Sequence, residues 1–279
     1  MRILVTNDDG IQSPGIRVLA AELATRGHEP IVAAPAEDQS GASASIWRMH
    51  PDAHIEVAQI VLGEAPDLPA WSVAAPPGLI VLTATLEAFG PPPDLVLSGI
   101  NAGLNTGQAL LHSGTVGAVL TAQRLGVSAM AVSLAPGEPW RWQTAARLAA
   151  DQLDALSRLP SGAALNLNVP SRDDDAIPEV RWARLDPYGS VRVALAENAT
   201  GRLQLEMRTT GNELCPDSDA AFVEQGFATL TMIAGVHECP EPEAGDWPVP
   251  QMQSAVASIP ESAHPVHVGV VGEAAPRTS

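Results

Sequence analysis

Short, continuous apolar runs alternate along the chain with stretches whose apolar residues recur every three to four positions, the texture of a β-α-β polypeptide. Ile3, Leu4 and Val5 form the first run and residues 30–35 the second. Between them Ile16, Leu19, Ala20 and Leu23 share one helical face, and Gly27 stands at the C-cap position. The opening therefore predicts a strand, a helix and a second, parallel strand. Residues 79–89 read as a helix that stops before Pro91-Pro92-Pro93. Residues 94–101 read as a buried strand, and a helix leads from the turn at Ser113 to Leu125. Residues 126–134 form another parallel strand, 140–159 a helix and 163–170 a short strand, while 55–62 and 70–74 are candidate flanking strands. The fold class is α/β with a mainly parallel sheet. The texture changes at Ser171. Residues 180–185 and 201–208 alternate apolar and polar positions, predicting the two strands of an antiparallel hairpin. Residues 220–225 predict a helix and 227–233 a last strand. Beyond Pro240 the chain is rich in proline, glutamate and alanine and reads as a mobile arm. The expected organisation is a core over 1–172, a β-rich extension with the final core elements over 173–239, and a tail over 240–279.

The polar residues that interrupt the apolar runs carry the candidate chemistry. The first strand breaks into Asn7-Asp8-Asp9-Gly10, which delivers two adjacent carboxylates to the C-terminal end of a strand, where open α/β sheets place ligands. Neighbouring strand residues point to opposite faces, so the two acids converge only if the chain bends between them, and Gly10 makes that easy. Converging carboxylates repel, and a divalent cation resolves the conflict; carboxylate, amide and hydroxyl oxygens suit Mg²⁺, Mn²⁺ or Ca²⁺. The same tetrapeptide also reads as a plain polar turn. The second strand exits into a small-residue loop in which Ser40 is either a further oxygen ligand or part of a spacer. The strand at 94–101 runs into a loop with Asn101 and Asn105 among three glycines, a composition that lets backbone approach a ligand. His112-Ser113-Gly114-Thr115 then opens a helix. Bare amides at its positive end make a phosphate-sized anion site, although Ser and Thr also cap helices with no ligand in view.

Composition narrows the options. Charged residues at 17% and hydrophobic ones at 46% describe a globular chain, and a net charge of −17 argues against a nucleic-acid polymer or an anionic membrane as partner. The chain has no lysine, which excludes a Walker-type phosphate loop, a Schiff-base lysine and a lysine general base. Cys215 and Cys239 lack a metal-ligand spacing and read as free thiols of a reducing compartment. No signal-peptide pattern opens the chain and no apolar run is long enough to span a membrane, so a cytoplasmic location is expected.

Four blocks then fall into one pattern: Val5-Thr6-Asn7-Asp8-Asp9-Gly10 with Pro14-Gly15-Ile16, Gln39-Ser40-Gly41-Ala42-Ser43-Ala44-Ser45-Ile46, Ser98-Gly99-Ile100-Asn101-Ala102-Gly103-Leu104-Asn105, and Ser113-Gly114-Thr115-Val116-Gly117-Ala118. In this order they resemble the SurE survival-protein family. The resemblance implies a Rossmann-like three-layer core, with a β-hairpin extension exchanged between the subunits of a homodimer or homotetramer. It implies a metal-dependent phosphatase of nucleoside 5′- or 3′-monophosphates with one divalent ion, Mg²⁺ or Mn²⁺. Carried over residue by residue, Asp8, Asp9, Ser40 and Asn101 would hold the metal. Asn105, Ser113, Gly114 and Thr115, with Asn7, would face the phosphate ester. Departures from the family pattern lie at Ala75-Pro76-Pro77-Gly78-Leu79, at His112 where tyrosine is frequent, at residues 121–124 and at Trp47. They leave the metal-site motifs intact and bear on the leaving group.

The expected reaction is hydrolysis of a phosphate monoester, with Asp8 or Asp9 orienting the attacking water and His112 a candidate to protonate the leaving oxygen. His112 reads equally as a structural histidine. The alternatives are a phosphatase specialised for a modified nucleotide or sugar phosphate, and a nucleotide-binding relative without catalysis. A glycosyltransferase half would need a second Rossmann domain, for which the chain is too short.

Overall fold

The computed structural model describes residues 1–46, 54–63, 65–172, 176–187, 191–199, 202–209 and 213–236. Trp47, the acidic run 173–175, Cys239 and the tail over 240–279 lie outside the described residues.

The predicted alternation of strands and helices is present. β1 (Arg2–Thr6), α1 (Pro14–Thr25) and β2 (Glu29–Pro35) form the opening unit, with Arg2 to Val5 registered in parallel on Glu29 to Val32. They are followed by β3 (Val57–Leu62), β4 (Ala65–Val73), α2 (Pro77–Thr85) and β5 (Leu95–Ala102). Next come a 3₁₀ turn (Gly107–His112), α3 (Gly114–Arg124), β6 (Ser128–Leu134), α4 (Trp142–Asp151), α5 (Leu153–Arg158) and β7 (Ala164–Val169). The last elements are β8 (Val180–Trp182), β9 (Val191–Ala199), β10 (Arg202–Thr209), α6 (Asp219–Glu224) and β11 (Ala228–Ile233). Among the described residues nine strands make one sheet in the order β3-β4-β2-β1-β5-β6-β7-β11-β8. The pairs from β4 to β7 are parallel, whereas β3 and β11 join antiparallel.

Alternation along the strands builds the three layers. Ile3, Val5, Leu97, Met130 and Val132 face one side of the sheet, where α1 and α4 pack; Leu4, Ile31, Val96, Ala129 and Ala131 face the other, beneath α2 and α3. Both faces of the central strands are buried, as a covered parallel sheet requires. Chain order reverses between β1 and β5, since β2 and β4 lie to one side of β1 and the later strands to the other. That switch point is where a crevice opens beyond the carboxyl ends of the strands.

Three expectations are corrected. Residues 180–185 do not pair with 201–208. The main chain of β8 is taken by β11 in parallel, with Val180 on Ala228 and Trp182 on Leu230. The antiparallel partner of β10 is β9, which carries its own period-two pattern at Val191, Val193 and Leu195. The helix expected over 140–159 divides at Gln152, whose N–H bonds to Ala149 O and tightens the turn. The helix expected over 79–89 ends at Thr85, closed by the Ala88 N–H on Thr83 O with Glu87 at positive φ. No helix among the described residues is long and apolar enough to cross a membrane.

Candidate active site

The crevice beyond β1 and β5 gathers the oxygen donors. Gly10, at φ +91°, turns the chain out of β1, and its carbonyl accepts hydrogen bonds from the Ser13 N–H and from Asn7 Nδ2 at 2.9 Å. Asn7 also donates to Ser13 Oγ at 2.7 Å. Asn7 is thus the brace of the β1–α1 turn, with its amide nitrogen committed there. α1 starts hard against β5: a Cβ on Gly15 would lie 2.2 Å from Ile100 O.

Asp8 bonds to the first turn of α3, and Asp9 bonds to β5 at Ala102, next to Asn101. Asp8 is buried and accepts a short hydrogen bond from the hydroxyl of Thr115. That hydroxyl stands 3.5 Å from Asn101 Oδ1. Asp9 Oδ2 accepts the Ala102 N–H at 3.3 Å. Asn101 Nδ2 donates to Gly103 O at 2.8 Å, so its amide nitrogen is committed and Oδ1 is the atom left toward Thr115. The register of β5 on β6 shifts between Gly99 and Asn101, which marks the place where the strand turns into the site. Burial, and next to it the charge of Asp8, push the Asp9 carboxyl up to about 6; the Ala102 N–H opposes this and Asp38 adds to it. The site is therefore electron-rich and short of positive charge. Its donors are all oxygens, the set that suits a hard divalent cation.

The β2 exit loop closes the site from one side. Gln39 N–H bonds to Asp8 O at 2.7 Å, and a Cβ on Gly117 would lie 2.1 Å from Ser43 O, so the loop is seated on the first turn of α3. Ser40 is exposed on this loop, with its N–H and hydroxyl both donating to Asp38 Oδ1 at 2.7 and 2.6 Å. Its proton is engaged, and the lone pairs of Oγ are what it offers to a cation.

The two hydroxyls at the start of α3 have separate tasks. Ser113 Oγ caps the helix, accepting the Val116 N–H at 3.2 Å. Thr115 turns to Asp8 instead. The N–H groups of Gly114 and Thr115 have no acceptor within the helix and stand at the positive end of its dipole, where Gly114 lies against Asp8. Asn105 is held further back. Its carbonyl accepts Asn166 Nδ2 at 2.8 Å and Asn168 Nδ2 at 2.9 Å, its N–H donates to Asn168 Oδ1, and its Nδ2 donates to Ser133 Oγ. His112 is exposed at the end of the 3₁₀ turn, one residue before the cap. The structure thus groups Asp8, Asp9, Asn101, Gly114 and Thr115, with Ser40 on the adjoining loop. Asn166 and Asn168, on the short strand whose asparagines the sequence points toward this same edge, reach it through Asn105, while Asp38 and Asp219 take part in building the surroundings although no local motif marks them.

Fold and site together define a Rossmann-like α/β protein with an oxygen-donor centre beside a helix N-terminus at the sheet's switch point. The family model of the survival protein SurE matches residues 3–189. A 5′-nucleotidase SurE of Prochlorococcus marinus (strain MIT 9303) is 34% identical over 250 residues, covering 84% of this chain and 90% of the relative. A 5′/3′-nucleotidase SurE of Serratia proteamaculans (strain 568) is 34% identical over 241 residues, covering 84% and 90%. The crystal structure of the SurE protein from Aquifex aeolicus superposes with a TM-score of 0.68 at 26% identity, covering 84% of this chain and 93% of that one. The chain belongs to the SurE family.

Proposed function

We propose that this SurE-family protein, a phosphoric monoester hydrolase, releases phosphate from nucleoside 5′- or 3′-monophosphates with the help of one divalent ion, Mg²⁺ or Mn²⁺, held by Asp8, Asp9, Asn101 and Ser40. The observation that carries the proposal is the Asp8–Thr115–Asn101–Asp9 constellation directly beside the start of α3. The relatives named 5′-nucleotidase and 5′/3′-nucleotidase support the substrate class. A bound Mg²⁺ or Mn²⁺ supplies charge neutralisation at the phosphoryl oxygens and a more acidic water. The N–H groups of Gly114 and Thr115 receive the remaining phosphoryl oxygens, and Asp8 or Asp9 orients the attacking water. Asn105 and Ser113 border the same phosphate. Assembly into a dimer or tetramer through the β9–β10 hairpin and residence in the cytoplasm complete the proposal.

Phosphate release from a panel of nucleoside 5′- and 3′-monophosphates and sugar phosphates, with Mg²⁺, Mn²⁺ or EDTA, tests it. Release confined to nucleotides and abolished by EDTA supports the proposal; preference for a sugar phosphate would move the substrate to another class. His112 is assigned the leaving-group proton. His112→Asn is expected to slow hydrolysis of a nucleoside monophosphate on the order of 10²-fold while leaving p-nitrophenyl phosphate nearly untouched, because p-nitrophenolate leaves without a proton. Equal loss on both esters would remove His112 from that role.

The raised carboxyl of Asp9 sets a pH dependence. Between its ordinary value of about 4 and the folded value of about 6, the folded protein keeps a proton that the unfolded chain has released. The metal-free fold therefore loses stability as pH rises through this window. A cation must displace the same proton, so apparent Mn²⁺ affinity, read by calorimetric titration, is expected to fall about tenfold per pH unit below about 6 and to level off above it.

A further inference from the structure

Asp219 is fully buried, far from the donor cluster in sequence, and plays no part in the chemistry above. It opens α6, yet the capping task there is already filled by Ser218 Oγ, which accepts the Ala221 N–H at 3.2 Å. The Asp219 carboxylate looks elsewhere. Oδ1 accepts the Ala220 N–H at 2.8 Å and the Asp186 N–H at 2.9 Å, and Oδ2 accepts the Gly107 N–H at 2.9 Å. Asp186 in turn accepts the Cys215 N–H on its Oδ2 at 3.0 Å. The Asp219 N–H donates to Arg184 O at 2.8 Å. Asp186 and Cys215 are the residues between which β9 and β10 lie in the chain, so this bond set ties the two roots of the hairpin together. Gly107 begins the 3₁₀ turn that delivers His112 and the cap of α3, and it follows Asn105 by two residues.

We infer that Asp219 is a positioning residue, one carboxylate that couples the roots of the β9–β10 hairpin to the phosphate-side loop 103–113. The inference rests on the phosphatase proposal for its kinetic consequence. Both oxygens are needed: one holds the hairpin root and helix start, the other holds the loop. Burial pushes the Asp219 carboxyl up, and the three N–H groups of Gly107, Asp186 and Ala220 pull it back toward the charged form, while the Asp186 charge raises it further. Movement of the hairpin root, for instance by a second copy of the chain engaging the hairpin, is thereby transmitted to the loop.

Asp219→Asn in the full-length protein cuts this link with little change of shape. An amide has a single acceptor oxygen, so its nitrogen must face either the Gly107 N–H or the hairpin-root N–H groups, and in each orientation one end of the coupling is lost. Hydrogen exchange of segment 103–113 is expected to quicken about tenfold in the metal-loaded variant while β1 and β6 keep wild-type protection. KM for a nucleoside monophosphate is expected to rise about tenfold with kcat changed less than threefold. Unchanged exchange over 103–113 would overturn the inference. A uniform rise across the sheet with kcat and KM unaltered would also overturn it, since Asp219 would then serve global stability alone. If the wild type releases no phosphate from any ester, the phosphatase proposal falls, and the exchange comparison still decides the role of Asp219.

Discussion

Asp9→Asn is expected to reduce phosphate release on the order of 10²–10³-fold and, in the same protein, to raise the thermal midpoint of the metal-free form at pH 8. The two effects share one cause. Asp9 is ionised at that pH at the expense of burial and of the neighbouring Asp8 charge, which together hold its carboxyl near 6. A neutral amide of the same shape relieves that cost and keeps an acceptor oxygen for the Ala102 N–H. Under the proposed mechanism it removes negative charge that would hold the cation and could orient the water, and losing one preorganised electrostatic group elsewhere costs a rate factor of this size. Phosphate-release kinetics and a melting curve with EDTA check the pair. Lost activity with a lowered melting point would mean that the substitution damages the fold, and full activity would take Asp9 out of the site.

Gly114→Ala carries the second large effect. In a helix interior an alanine stabilises by about 1 kcal/mol relative to glycine, and at the first position the gain is smaller. Here the added methyl would lie 2.8 Å from both Cβ and Oδ2 of Asp8, closer than real side chains approach. Neither partner has an easy retreat. Asp8 is buried and bound by Thr115, and α3 is fixed by the Ser113 cap and by Gly117 under Ser43 O. The carboxylate must therefore shift relative to Asp9 and Asn101, and a displacement of about 1 Å at a reacting centre costs about 10²-fold. The expected outcome is a fall of that order in kcat/KM with weaker Mn²⁺ binding by calorimetry and a circular-dichroism spectrum like that of the wild type. Unaltered kinetics would show that the first turn of α3 does not press on the proposed ligand Asp8.

The parts of this site written in contiguous sequence were readable, and the parts made by tertiary contact were not. A β-branched run ending in Asn-Asp-Asp-Gly announces a strand that delivers acids to a turn, and the β5 run into Asn101 repeats the pattern. The sequence alone left open which hydroxyl at the start of α3 caps the helix; both fit a cap, and only the approach of β1 shows that Ser113 takes the cap and Thr115 turns to Asp8. The resemblance places Asn7 beside the phosphate ester, and the structure adds a role that the sequence did not show: its amide nitrogen braces the β1–α1 turn. Asp219 meets Gly107 across 112 positions of sequence, and no local periodicity encodes such a partner. The hairpin differs from its sequence expectation for a related reason: alternation marks a strand but does not name its neighbour, and β8 pairs with β11 instead.

In the nine-stranded sheet β1 and β5 are the fourth and fifth strands, flanked on both sides and covered on both faces. Elements in that position open only when the whole molecule opens, whereas edges such as β3 and β8 fray independently. The strands that deliver the aspartates and Asn101 are therefore expected to hold until the whole sheet opens, so that damage confined to the rim, whether a nick or a frayed edge strand, leaves their register intact.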